Sequence, residues 1–86
     1  MQTITLYSKD YCPYGKAAKS LLREKGLSFN EIEVGNNPEL LAHMIDISGR
    51  HTVPQIFFGE EHIGGYTELA DYFSNLPEFA MVGTCA

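Results

Sequence analysis

The sequence predicts an α/β fold: a four-stranded mixed sheet flanked by helices, in the order βαβ, α, ββα. Three observations predict it. Apolar residues alternate with period two over residues 3–8 and again near 29–34, with helical spacing between them. Val53 opens a short β-prone run, and a second run follows a turn at Gly59, which makes an antiparallel pair. The first two strands, joined through a helix, must instead run parallel.

Each element has its own signals. Thr3 to Ser8 alternates apolar and polar residues and reads as the first strand. From Pro13 onward, Tyr14, Ala17, Ala18, Leu21 and Leu22 recur on one helical face. Pro13 suits the first helical position and Gly26 the residue just past the end. Ser28 to Gly35 alternates again and places a second strand near 29–34. Asn37, Pro38 and Glu39 form a cap, a first-turn proline and a first-turn acid. The helix they open should bury Leu40, Leu41, Met44, Ile45 and Ile47 and stop near Gly49. Pro54 stands at the start of the third strand, where a missing N–H is tolerated. His62 to Gly64 forms a short fourth strand, and a last helix spans about 67–76 with Leu69, Tyr72, Phe73 and Leu76 on one side. Residues 77–86 are apolar but carry no pattern.

Length and composition bound the function. Eighty-six residues are read as a single domain spanning 1–86, with a small core and short loops. A hydrophobic share of 44% with 20% charged residues is ordinary for a globular chain and argues against disorder. A net charge of -5 argues against bulk nucleic acid as a partner. No apolar run has the length to cross a bilayer, and the first residues lack the features of a signal peptide, so the expected compartment is the cytosol. Residues 1–29 carry five bases against two acids, whereas 30–86 carry Arg50 against nine acids. A basic N-terminal segment suggests a small anionic ligand met at that end. Lys19, Arg23 and Lys25 read as a solvated helix face, and His43, His51 and His62 as surface residues without metal-ligand spacing.

Two cysteines, Cys12 and Cys85, are too few for a disulfide scaffold or a zinc site. Cys12 falls between a strand end and a helix start. There its sulfur meets unpaired N–H groups and the positive end of the helix dipole. Lys9 and Lys16 add positive charge, and all three influences favour thiolate over thiol. A helix start after a strand is ordinarily exposed, which predicts a reactive rather than a buried, inert cysteine. Cys85, one residue from the end, reads as an incidental thiol rather than a resolving one.

Cys12-Pro13-Tyr14-Gly15 resembles the Cys-Pro-Tyr-Cys site of glutaredoxins. Lys9 matches the lysine before that motif, and Thr52-Val53-Pro54 is similar to the family's Thr-Val-Pro loop with its cis-proline. Gly64-Gly65, followed by Tyr66 and Thr67, resembles its Gly-Gly turn into the last helix. The three motifs keep the family's order and spacing and span residues 3–76. The resemblance implies a thioredoxin fold and a glutathione site.

By that resemblance, Lys9 and Arg50 meet the glycine carboxylate of glutathione, and charge-assisted bonds of this kind are the strong ones. Val53, before Pro54, exchanges backbone hydrogen bonds with the cysteinyl part, and Thr52 belongs to the same loop. The N–H groups of Tyr66 and Thr67, after Gly65, receive the γ-glutamyl carboxylate. Tyr14 contacts the peptide. Family members often carry an aspartate where Thr67 stands, so the contact with the ligand's ammonium should be weaker here.

One departure limits the chemistry. Gly15 replaces the second cysteine, whether by nature or by design, so the motif itself cannot close a disulfide. Thiol–disulfide exchange needs only one thiolate. The expected activity is therefore monothiol reduction of glutathione mixed disulfides, whether small molecules or glutathionylated proteins, with glutathione as co-substrate, no metal and a monomeric chain. The other readings are a glutathione-ligated [2Fe–2S] carrier and a non-catalytic glutathione-binding module. A glycine this early in a helix costs roughly 1 kcal/mol relative to alanine, so sequence alone gives it no stabilising role.

Overall fold

The structure is a computed structural model and describes residues 3–74. Seven elements follow in the expected order: β1 (Ile4–Ser8), α1 (Pro13–Glu24), β2 (Asn30–Glu33), α2 (Pro38–Ser48), β3 (Gln55–Phe58), β4 (Glu61–Gly64) and α3 (Tyr66–Ser74). The strands form one mixed sheet ordered β2-β1-β3-β4. β1 runs parallel to β2 and antiparallel to β3, with Leu6 opposite both Glu31 and Ile56. β3 and β4 are antiparallel, and their register slips between Ile56 and Phe57. A bulge of this kind bends the strand, and here it lies just before the turn into α3.

Strand alternation sorts the core into two layers. Ile4, Leu6, Ile56 and Phe58 face one side, where Ala18 and Leu22 of α1 and Leu69 of α3 cover them. Tyr7 and Phe57 face the other side and pack with Val34, Met44 of α2, Val53 and Cys12. Leu6, Leu22, Met44 and Ile56 are fully buried, each contributing about 1.5–3 kcal/mol of burial. Two helices on one face and one on the other place the end of β1, the start of β3, α1's start and α3's start at a common edge.

The helix ends follow the sequence signals. Asn37 Oδ1 accepts from the Leu40 N–H at 3.1 Å. Gly26 and Gly49 adopt φ of 73° and 72° just past α1 and α2, the left-handed region where a side chain is strained. At α1 the Leu27 N–H reaches Leu22 O and the Gly26 N–H reaches Arg23 O, closing the last turn. Lys19 pairs with Glu31 at 2.7 Å, whereas Arg23 and Lys25 lie over the Phe29 and Phe73 rings. Lys19 is therefore half-buried in an ion pair with β2 rather than simply solvated.

Three packing expectations need correction. Ile47 is 40% exposed, because α2's last turn runs past the cluster that Leu40, Leu41, Met44 and Ile45 cover. Tyr72 is 50% exposed: its ring meets Phe58 edge-on at 5.0 Å while its other side faces water. His62 is half-buried rather than a surface residue, its ring 4.9 Å from Phe57. Leu76 and the 77–86 segment lie outside the described residues. No helix among those described is long and apolar enough to cross a membrane.

Candidate functional site

Cys12 is the N-cap of α1, with the extended backbone (φ -86°, ψ 114°) that position requires. Pro13 sets the helix entry, and the Cys12 sulfur accepts the Gly15 N–H at 3.3 Å. The sulfur therefore meets a donor that the helix leaves without an internal partner. The Cys12 N–H donates to Lys9 O at 3.1 Å, and the Lys16 N–H donates to Cys12 O at 3.2 Å. The turn is held on both sides.

The expected exposure of Cys12 is corrected by the structure: the residue is 0% exposed. Its sulfur lies 3.6 Å from the Val53 carbonyl, and Tyr7, Val34, Met44, Val53 and Phe57 share its cluster. Cys12 is disulfide-bonded here, not a free thiol. Cys85 lies outside the described residues.

Opposite Cys12 stands the Thr52–Pro54 loop. The Val53–Pro54 bond is cis, as the resemblance implied, and both residues are buried. Gln55 holds this loop from behind. Its amide nitrogen donates to Thr52 O at 3.0 Å and Thr52 Oγ1 at 3.3 Å, and its Oε1 sits 2.6 Å from His62 Nε2. An amide oxygen only accepts, so Nε2 carries the hydrogen. Burial lowers the His62 pKa first of all, and the nearby Arg50 charge adds to this.

The remaining candidates divide into two groups. Tyr14 packs against the Cys12–Val53 cluster, and its ring lies 6.3 Å from Tyr66 at the start of α3. Thus Cys12, Tyr14, Val53, Pro54 and Tyr66 come together. Thr67 follows in the first turn of α3, and Gly65 caps it, its carbonyl accepting from Leu69 N at 2.9 Å. Lys9 Nζ lies 5.9 Å from the Tyr11 ring centroid, and Lys16 is exposed on α1's first turn. Arg50 is turned to another partner. Its Nη1 and Nη2 meet Glu68 Oε1 and Oε2 at 2.7 and 2.9 Å. The hydrogen bond to Arg50 holds the Glu68 carboxyl below its ordinary range, and the same bond raises the Arg50 pKa.

Four residues that shape the site went unread in the sequence. Glu68 occupies Arg50, and its signal was the Gly-x-x-Glu spacing of a capping box. Gln55 fixes Thr52 and His62, and its signal was a polar residue inside an apolar run. Glu33 accepts the N–H groups of Asp10, Gly35 and Asn36 and so ties the loop before Cys12 to the end of β2. Ser8 fills the space that a side chain at residue 15 would need. The glycine therefore has a packing role: a Cβ there would fall on Ser8 Oγ and lie 3.2 Å from Ser8 Cβ. Among the described residues, no group of three or more His, Cys, Asp or Glu is placed to hold a metal ion.

A sulfur at a helix N-terminus facing a cis-proline loop, on a βαβ–α–ββα sheet, defines a thioredoxin-like thiol oxidoreductase. The comparisons with known proteins narrow this further. The glutaredoxin family model matches residues 4–63. A glutaredoxin of Neisseria meningitidis serogroup A is 49% identical over 70 residues, covering 80% of this chain and 82% of that protein. The solution structure of a glutaredoxin from Brucella melitensis superposes with a TM-score of 0.77 at 44% identity, covering 87% of this chain and 82% of that one. A buckwheat glutaredoxin–glutathione complex superposes with a TM-score of 0.75 at 27% identity, covering 86% and 71%. The chain belongs to the glutaredoxin family, whose members use glutathione as a substrate.

Proposed function

We propose that this chain reduces glutathione mixed disulfides by a monothiol route through Cys12. The observation that carries this reading is the seat of the sulfur, capped by the Gly15 N–H at 3.3 Å and set 3.6 Å from the Val53 carbonyl. A helix N-terminus favours the thiolate, and the thiolate is the attacking species. In the first step the Cys12 thiolate attacks the glutathionyl sulfur of the substrate. A Cys12–glutathione disulfide forms, the substrate's S–S bond breaks, and the substrate leaves as a thiolate. In the second step a glutathione thiolate attacks the glutathionyl sulfur on Cys12, releasing glutathione disulfide and restoring the Cys12 thiolate. The disulfide present at Cys12 opens before the first turnover by two such exchanges: one glutathione thiolate attacks it to form a mixed disulfide, a second resolves that, and glutathione disulfide leaves with Cys12 and its former partner as thiolates.

The ligand lies along the Thr52–Pro54 loop. The Val53 backbone pairs with its cysteinyl unit, as an extended peptide adds to a free strand start. Lys9 and Arg50 receive the glycine carboxylate, the Tyr66 and Thr67 N–H groups receive the γ-glutamyl carboxylate, and Tyr14 lies against the peptide. Lys9 and Lys16 supply positive charge to the thiolate. The family match and the glutathione-bound buckwheat relative support this assignment.

The full burial of Cys12 favours a second reading, a module that binds glutathione without turning it over. Glutathione-coupled reduction of a small mixed disulfide separates the two. Turnover that disappears in Cys12→Ser supports the monothiol enzyme, and glutathione binding without turnover supports the module.

A further inference from the structure

Glu68 fills the place on Arg50 where an incoming carboxylate would bind. Both its oxygens lie on the Arg50 fork, at 2.7 and 2.9 Å, in the bidentate geometry that a planar guanidinium favours. Its Oε1 also accepts the Gly65 N–H at 2.7 Å, at the threshold of α3. The backbone beneath is shaped to admit it. A Cβ at Gly64 would collide with the Glu68 carboxylate, and Gly64 holds a φ of 123° that a side chain rarely adopts. One side chain thus covers the guanidinium beside the Thr52–Pro54 loop and the first N–H of the α3 turn.

We propose that Glu68 is an internal competitor, a built-in carboxylate that a ligand must displace from Arg50 with a carboxylate of its own. The inference rests on the reading that glutathione binds along the Thr52–Pro54 loop. It adds a selectivity rule to that reading. Arg50 stays charged at every working pH, so a ligand without a carboxylate cannot offer an equivalent exchange and leaves the pair closed. A dianionic peptide such as glutathione replaces one carboxylate–guanidinium contact with another, and only the difference between them appears as affinity. The pair is half-exposed, with side-chain accessibilities of 41% and 45%, so a ligand can reach it from solvent. The site is selective because its resting state already contains what it recognises.

The test is calorimetric titration of the intact protein with S-methylglutathione, which binds but cannot exchange. Four proteins are compared: wild type, Glu68→Gln, Arg50→Gln and the double variant. Glutamine at 68 still accepts the Gly65 N–H, so the α3 cap survives while the ion pair is lost. Glu68→Gln is expected to lower Kd about threefold, the scale of a half-exposed ion pair. Arg50→Gln is expected to raise Kd, and adding Glu68→Gln to it should then change nothing. Unchanged or weaker binding in Glu68→Gln overturns the inference and leaves the glutathione reading intact. An equal gain in the Arg50→Gln background also overturns it, because that outcome reports general repulsion rather than competition for Arg50. Absence of binding in all four proteins removes the glutathione reading and this inference together.

Discussion

Replacing Gly15 with alanine is expected to destabilise the protein, although alanine is the better helix former. A Cβ at residue 15 falls inside the van der Waals envelope of Ser8 Oγ and 3.2 Å from Ser8 Cβ. Ser8 is 2% exposed, and its hydroxyl donates to the Lys9 carbonyl at 3.2 Å. The hydroxyl must therefore turn into packed protein and give up that bond, at a combined cost of about 1–3 kcal/mol. Alanine's helix propensity returns about 1 kcal/mol at most. The net loss is about 1 kcal/mol, which lowers Tm by about 4–8 °C in a chain of this size. Ser8→Ala removes the colliding atom, so Gly15→Ala becomes neutral or stabilising in that background. Urea and thermal unfolding of the four proteins in this cycle should give a coupling energy of about 1–2 kcal/mol. Gly15→Ala as stable as wild type, with zero coupling to Ser8, would mean that Ser8 does not exclude a side chain at residue 15. The same collision awaits Gly15→Cys, so restoring a two-cysteine motif by one substitution also moves Ser8.

Three further outcomes follow from the site. The His62 pKa lies below its ordinary value, so the unfolded chain takes up the proton first and stability falls as pH drops below about 6.5. Urea midpoints measured from pH 8 to pH 5 should decline through that window in wild type and stay level in His62→Phe; a level wild-type profile contradicts the assignment. The Glu68 carboxyl, held low by Arg50, contributes a separate loss that begins as pH drops below the ordinary carboxylate range and is complete once pH has fallen through its depressed pKa. Because Cys12 is disulfide-bonded, protein purified without reductant should show a lag before steady turnover, and prior reduction should abolish it. Identical progress curves for both preparations would argue that this disulfide does not limit the enzyme.

What the sequence made legible was local. The cap and proline at Asn37–Pro38, the Pro13 entry and the positive-φ Gly26 and Gly49 act within a turn or two, so the elements fell where expected. Alternation over residues 3–8 marked β1, whereas the sorting of Leu6 and Ile56 to one layer and Tyr7 and Phe57 to the other came with the sheet. Contacts across the fold were not legible. Cys12 is buried by Val53, 41 residues away, and no pattern near residue 12 records that cover. Arg50 stood out as the sole base after residue 29, but its partner Glu68 comes 18 residues later, beyond the β3–β4 hairpin. The helical face of Ile47 and Tyr72 was correctly periodic, yet periodicity does not say where a helix outruns its cluster. Gly15 looked like a stability loss until α1's first turn was seen against β1, with Ser8 in the space a side chain would take.

In the monothiol route Cys12 alone carries exchange, and a second glutathione, not a second protein cysteine, resolves the intermediate. Steady-state reduction of a small glutathione mixed disulfide, coupled to glutathione disulfide reduction, tests it in wild type, Cys12→Ser and Cys85→Ser. Turnover is expected to be lost in Cys12→Ser and kept in Cys85→Ser, with glutathione captured on Cys12 when the reaction is quenched. Turnover surviving Cys12→Ser, or lost with Cys85→Ser, would contradict that route.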